Sequence, residues 1–124
     1  MTTDEIFRAI QADPQNQDFT KQGIQPLYHV DANAKILLIS QAPSRRAQAT
    51  MTFWDDASGD RLRDWMGVTK DQFYHAGKIA VLPLDFYYPG KQPHGGDLPP
   101  RKGFADKWHA PLLKLMPNIQ LTLL

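Results

Sequence analysis

The chain has 124 residues, 42% hydrophobic, 22% charged and 10% aromatic, which suits one modest globular core and is too short for two domains. With 14 Lys and Arg against 13 Asp and Glu, the formal charge of +1 excludes a polybasic nucleic-acid coat but leaves room for a local cationic cluster. There are no cysteines, so disulfides, thiolate zinc sites, iron–sulfur clusters and cysteine nucleophiles are excluded together.

The N-terminus, Met1-Thr2-Thr3-Asp4-Glu5, is acidic where a secretory signal is basic and then apolar, and no apolar run approaches the ~20 residues of a membrane helix. A cytoplasmic domain over residues 1–124 is the expectation. Thr2 and Glu5 stand at capping-box spacing, which predicts a helix with Ile6, Phe7 and Ile10 on one face, ended by Asp13-Pro14. Residues 15–34 show no sustained period and read as connection. Lys35-Ile36-Leu37-Leu38-Ile39-Ser40 is a short continuous apolar run of the kind found in strands buried on both faces. Ser58 to Gly67 reads as a helix with Ser58 as N-cap, Leu62, Trp65 and Met66 on one face and Gly67 as the stop.

Thr69 and Gln72 repeat the capping-box spacing for a short helix through Phe73 and Tyr74. A second strand follows at residues 79–84, with Pro83 confined to its end because proline cannot donate to a ladder. Trp108, Leu112 and Leu115 recur at helical spacing, with Pro111 beginning or kinking that helix, and residues 119–124 form a third strand-like run. Strands alternating with helices predict an α/β fold with a short parallel sheet. The end at Leu124, inside an apolar run, predicts a domain lacking its C-terminal part.

Ligands of open parallel sheets bind beyond the carboxyl ends of the strands, which points to the segments after Ser40 and Leu84. The first is Gln41-Ala42-Pro43-Ser44-Arg45-Arg46, followed by Phe53-Trp54-Asp55-Asp56; the second begins Asp85-Phe86-Tyr87-Tyr88-Pro89-Gly90-Lys91 and runs to Arg101-Lys102. Aromatics, amides and cations in this mix suit a flipped nucleobase stacked on a ring, read by an amide and flanked by phosphates. The plainer alternative makes Phe86, Tyr87 and Tyr88 core or lid packing, and Arg45, Arg46, Arg101 and Lys102 solvated surface. His94 with Asp97 is too few ligands for a metal site, and His29, His75 and His109 show no ligand spacing.

These segments resemble the uracil-DNA glycosylase superfamily. Residues 36–44, then Phe53 or Trp54, then Ser58-Gly59-Asp60-Arg61-Leu62 are similar to its first motif region, which reads Gly-Glu-Ala-Pro-Gly and Pro-Phe-Val-Gly in the iron–sulfur branch. Tyr88-Pro89-Gly90 is similar to the family's Pro-Pro-Gly. Phe86 to Lys91, Gly96-Asp97-Leu98-Pro99-Pro100-Arg101 and Pro117-Asn118-Ile119 resemble a bacterial group of uracil-DNA glycosylase family proteins.

The resemblance implies a three-layer α/β/α domain with four parallel strands, about three of them present here. It implies excision of uracil, or a related deaminated base, from single- or double-stranded DNA by hydrolysis of an N-glycosidic bond, with no cofactor, metal or membrane. On this reading Gln41, Ala42, Pro43, Ser44 and Phe53 form the base pocket, and Arg45, Arg46, Lys91 and Arg101 meet phosphate. The candidate catalytic residues are Gln41, Asp85 and Asp55; Asp85 reads equally as a turn aspartate bonded to backbone, and Asp55 and Asp56 as caps of the turn before Ser58, one of which could face the pocket.

Three departures bear on the chemistry. Ala42 stands where the family carries a catalytic aspartate or asparagine. Leu82 falls where an asparagine reads uracil, and the His-Pro-Ser segment falls past Leu124. Gln41 can orient water or bind a base edge but cannot act as a general base. A catalytically weak or inactive nucleobase-binding or nucleic-acid-binding module is therefore the alternative. A nucleotide hydrolase is a third reading without a glycine-rich phosphate loop to support it.

Overall fold

The computed structural model describes residues 2–123. The first helix, α1 (Thr3–Ala12), is capped by Thr2, whose side chain accepts from the Glu5 N–H at 3.2 Å, and it buries Ile6 and Ile10. Asp13 leaves the helix with an extended backbone and caps the following 3-10 turn, Pro14–Asn16, by accepting from the Gln15 N–H. The expectation of unbroken connection over residues 15–34 is corrected by α2 (Gln17–Lys21), a helix of 5 residues, too short for a periodic pattern to register. It is fastened to α1 by side chains instead, with Thr20 Oγ1 donating to the Gln11 carbonyl at 2.8 Å.

All three strands are shorter than their apolar runs: β1 (Ile36–Leu38), β2 (Ile79–Val81) and β3 (Leu121–Leu123). They form one parallel sheet in the order β2-β1-β3, with Ile36 beside both Ile79 and Leu121. Pro83 lies just past β2, where its missing N–H costs no ladder bond. Between β1 and β2 come α3 (Arg45–Thr50), α4 (Ala57–Met66) and α5 (Lys70–His75), and between β2 and β3 comes α6 (Phe104–Leu113).

The pleat sends alternate side chains to opposite faces. Leu37 and Ala80 join Ile6, Ile10, Phe104, Trp108 and Leu112 in the core under α1 and α6. Leu38, Ile79 and Val81 join Ala47, Phe53 and Phe73 under α3 to α5. The result is three layers, α/β/α. No helix among the described residues is long and apolar enough to cross a membrane.

Several local expectations change. Helix α3 was not anticipated; Ser44 caps it by accepting from the Ala47 N–H at 3.1 Å. The N-cap of α4 is Asp56, not Ser58: its carboxylate accepts from the Gly59 N–H at 2.9 Å and from Ser58 Oγ at 2.7 Å. Trp65 is 77% exposed because α4 packs through Gly59, Arg63 and Met66, a stripe about 120° of helix rotation away from Trp65. The Thr69/Gln72 capping box has both its bonds and Gly67 ends α4 at φ +71°; Pro111 does not begin α6, which starts at Phe104 and carries it inside, and Leu115 lies past the helix end at Leu113.

Burial alone raises the Asp13 carboxyl, but bonds from Lys107 Nζ and the Gln15 N–H more than offset it and leave the group below its ordinary 3.8. A carboxylate depressed in the folded state stabilises fully above the unfolded value and loses that contribution as pH falls through the folded one. Urea midpoints are therefore expected to stay level above pH 3.8 and drop below it. Asp13→Asn is expected to lower the neutral-pH midpoint and flatten part of the acid limb.

Candidate nucleobase site

The connections leaving β1 and β2 run to opposite faces of the sheet, α3 to α5 on one and α6 on the other. Adjacent parallel strands whose connections diverge open a crevice at their carboxyl ends. Two backbone bonds carry the β1–β2 pairing past the strands: Leu84 N–H to Ser40 O at 2.8 Å and Asp85 N–H to Gln41 O at 3.1 Å. The loops then separate around two small cavities that share Gln41, Ala42 and Pro43.

The first cavity, about 230 Å³, is lined by Gln41, Ala42, Pro43, Ser44, Phe53, Trp54 and Asp56. The five residues expected to bind a base thus meet in one place. The second, about 270 Å³, lies between the same β1 loop and Pro89, Leu98, Pro99 and Pro100. A larger cavity of about 390 Å³ runs along β2 from Ile79 to Val81 and shares only the Phe53 wall. Its walls are chiefly apolar (Leu27, Phe53, Phe73), whereas the smaller one gathers an amide, a hydroxyl, a carboxylate and two aromatics at the crevice.

Asp56 is the carboxylate of this cavity. Bonds from the Ser58 hydroxyl and the Gly59 N–H hold it below its ordinary 3.8, so it is ionised at neutral pH. Asp55, one residue earlier, is not in the lining; it stands 4.0 Å from Arg46 with both side chains about half exposed or more, a pairing of little energetic weight. The sequence carries Asp56's signal, an aspartate just before a helix, but Asp55 and Ser58 compete for the same cap.

Asp85 has a different setting. It is fully buried and accepts from the Tyr87 N–H (3.1 Å), the Arg101 N–H (3.1 Å), Arg101 Nε (2.8 Å) and Arg101 NH2 (2.9 Å). Neither small cavity is lined by it. Arg101 in turn donates to the Gln15 carbonyl at 3.0 Å and lies over the rings of Phe19, Tyr87 and Phe104. Arg45, Arg46 and Lys91 are exposed, Arg45 and Arg46 on the first turn of α3 just beyond Ser44 and Lys91 across the crevice.

Phe86 and Tyr87 are core, with no exposure. His109 Nε2 donates to the Pro83 carbonyl at 2.6 Å and its ring stacks on Phe86. Among the described residues no three His, Cys, Asp or Glu side chains gather as metal ligands.

Two carbonyls of the cavity wall are tied from behind. Tyr74 OH donates to Phe53 O, and Arg63, only 3% exposed, donates from NH1 to Trp54 O at 2.9 Å. Burial opposes the Arg63 charge, but Asp60 at 2.8 Å and the Tyr74 hydroxyl at 3.2 Å more than compensate and hold the guanidinium above its ordinary value. Nothing in the sequence marks Arg63, since an arginine on a helix ordinarily reads as solvated.

Residues 27–123 match the family model of the Uracil DNA glycosylase superfamily. The chain belongs to this superfamily, as its three parallel strands with helices on both faces accord with.

Removing one partner of the Asp85–Arg101 pair strands a charge or four donors. Arg101→Met and Asp85→Asn are each expected to cost about 3 kcal/mol, measured by denaturant unfolding, with Asp85→Asn lowering activity only in step with the folded fraction.

Proposed function

We propose that the protein is a DNA-repair glycosylase that hydrolyses the N-glycosidic bond of uracil, or a related deaminated base, in a nucleotide extruded from DNA. The observation that carries this reading is the convergence of Gln41 to Ser44, Phe53 and Asp56 on one cavity at the sheet's crevice. Superfamily membership supports it.

In this reading Phe53 stacks on the base, an interaction of about 1–3 kcal/mol. The Gln41 amide donates to a base carbonyl, favouring departure of the base with the electron pair of the broken C–N bond. The Asp56 carboxylate takes the role for which Ala42 has no group: it faces the positive charge that grows on the sugar and orients the water whose oxygen joins C1′. The released base then gains the proton that the water gives up. Arg45, Arg46 and Lys91 hold flanking phosphates, where association weakens with salt. Asp85 and Arg101 serve the scaffold.

The test is uracil release from a single-stranded oligonucleotide. Wild-type protein is expected to release uracil, and Asp56→Asn, which keeps the cap through its amide oxygen, to lose about 100-fold in kcat. Phe53→Ala is expected to weaken substrate binding about tenfold. Retained DNA binding with no uracil release by the wild type overturns the enzymatic reading in favour of a nucleobase-binding module.

A further inference from the structure

Residues 51–56 join α3 to α4 and bring Phe53, Trp54 and Asp56 to the candidate pocket with an unusual backbone. Met51 and Trp54 are the two non-glycine residues among those described with positive φ, at +54° and +61°. Left-handed backbone costs a side-chain-bearing residue energy and persists where surroundings enforce it. Phe53, between them, forms a wall of the pocket, and Asp56 follows two residues after Trp54.

Met51 is the left-handed C-cap of α3, its N–H donating to the Ala47 carbonyl; at Trp54 the enforcement comes from α4 and α5. Arg63 NH1 takes the Trp54 carbonyl, and the Tyr74 hydroxyl takes the Phe53 carbonyl. The guanidinium is itself fixed by Asp60 and by the faces of Phe73 and Tyr74, 5.4 and 5.5 Å from their ring centres. Burial pushes the Tyr74 phenol up, so it stays protonated and keeps its donor. Gly59 admits the approach: a Cβ there would stand 1.7 Å from the Trp54 carbonyl oxygen. The same Gly59 N–H binds the Asp56 carboxylate.

We infer that Arg63, with Tyr74 and Gly59, is a positioning residue that holds the 53–56 strap in its strained conformation, presetting the Phe53 ring and the Asp56 carboxylate for an incoming base. The inference rests on the functional reading above, to which it adds the device that makes the pocket rigid. A base stacks on a ring whose conformational cost has been met in folding, so less is lost on binding. Phe53 and Trp54 are held through their backbone carbonyls rather than their side chains, and Asp56 is anchored through the Oδ1 that caps α4.

The mild variant is Tyr74→Phe, which removes one oxygen and keeps the ring beneath Arg63. Its KM for uracil-containing single-stranded DNA is expected to rise about fivefold, a fraction of a full base–aromatic stack, with kcat within about twofold because Asp56 keeps its own bonds. Arg63→Lys, which cannot reproduce the planar fork, is expected to lower kcat as well. Amide hydrogen exchange over residues 51–56 is expected to quicken in both variants while that of β1 and β2 is unchanged.

Unchanged KM and unchanged exchange in Tyr74→Phe overturn the positioning role while leaving the glycosylase reading intact. A wild type that releases no uracil overturns that reading, and this inference with it. Quickened exchange with a wild-type KM also overturns the inference, since the strap would then be held for stability alone.

Discussion

One buried carboxylate organises the carboxyl-terminal side of this sheet. Asp85 follows β2 directly and accepts four hydrogen bonds, three of them from Arg101, 16 residues away across the long loop that leads to α6. Hydrogen bonds to charged groups contribute about 1.5–3 kcal/mol each, and desolvating both ions offsets much of that. The pair therefore acts more by geometry than by net energy. Arg101 also takes the Gln15 carbonyl and lies among Phe19, Tyr87 and Phe104, so a single side chain joins the turn after α1, helix α2, the β2 loop and the start of α6. That junction adds to the bonds that tie the β2 loop to the β1 side, Leu84 N–H to Ser40 O, Asp85 N–H to Gln41 O and Tyr88 N–H to Gln48 Oε1.

The opposite wall of the crevice is built by the same means from different residues. Arg63 is buried, paired with Asp60 and placed against two aromatic faces, and it spends its remaining donors on the backbone of the 53–56 strap and on Tyr74. Each wall of the crevice thus has a guanidinium behind it, Arg63 behind the 53–56 strap and Arg101 behind the β2 loop. A planar fork with five donors suits this work, because it can bind carboxylate and carbonyls at once while its faces pack on rings. Arg45, Arg46 and Lys91 are among the cations left exposed. A formal charge of +1 on the whole chain says little about such a division between structural and peripheral cations.

The chemical consequence concerns which carboxylate can act. A carboxylate sealed from solvent and saturated with donors, as Asp85 is, has no lone pair left for water or for a developing positive charge. Asp56 is bound on one side by its own helix and lines the cavity with Gln41 and Phe53. The proposed function depends on that difference, and Ala42 makes it necessary, since a methyl group offers nothing to a reacting sugar.

Much of the architecture was legible in the chain itself. Apolar-rich runs at residues 35–40, 79–84 and 119–124, alternating with helical patterns, announced a parallel sheet, and capping residues at Thr2 and Thr69 and the stop at Gly67 marked helix ends, because these signals are local and each needs only its neighbours. That residues 41–44 leave the carboxyl end of a buried strand was legible too, whereas their grouping with Phe53 came with the family resemblance. What the tertiary structure decided was long-range. Asp85 with Arg101 and Arg63 with the Trp54 carbonyl are pairings between separate elements, Asp56 and the β1 loop meet only as walls of one cavity, and no periodicity or spacing encodes which charged side chain will be drawn inside. Burial of a charge is settled by the partners it finds, and those partners exist only once the sheet has brought its loops together.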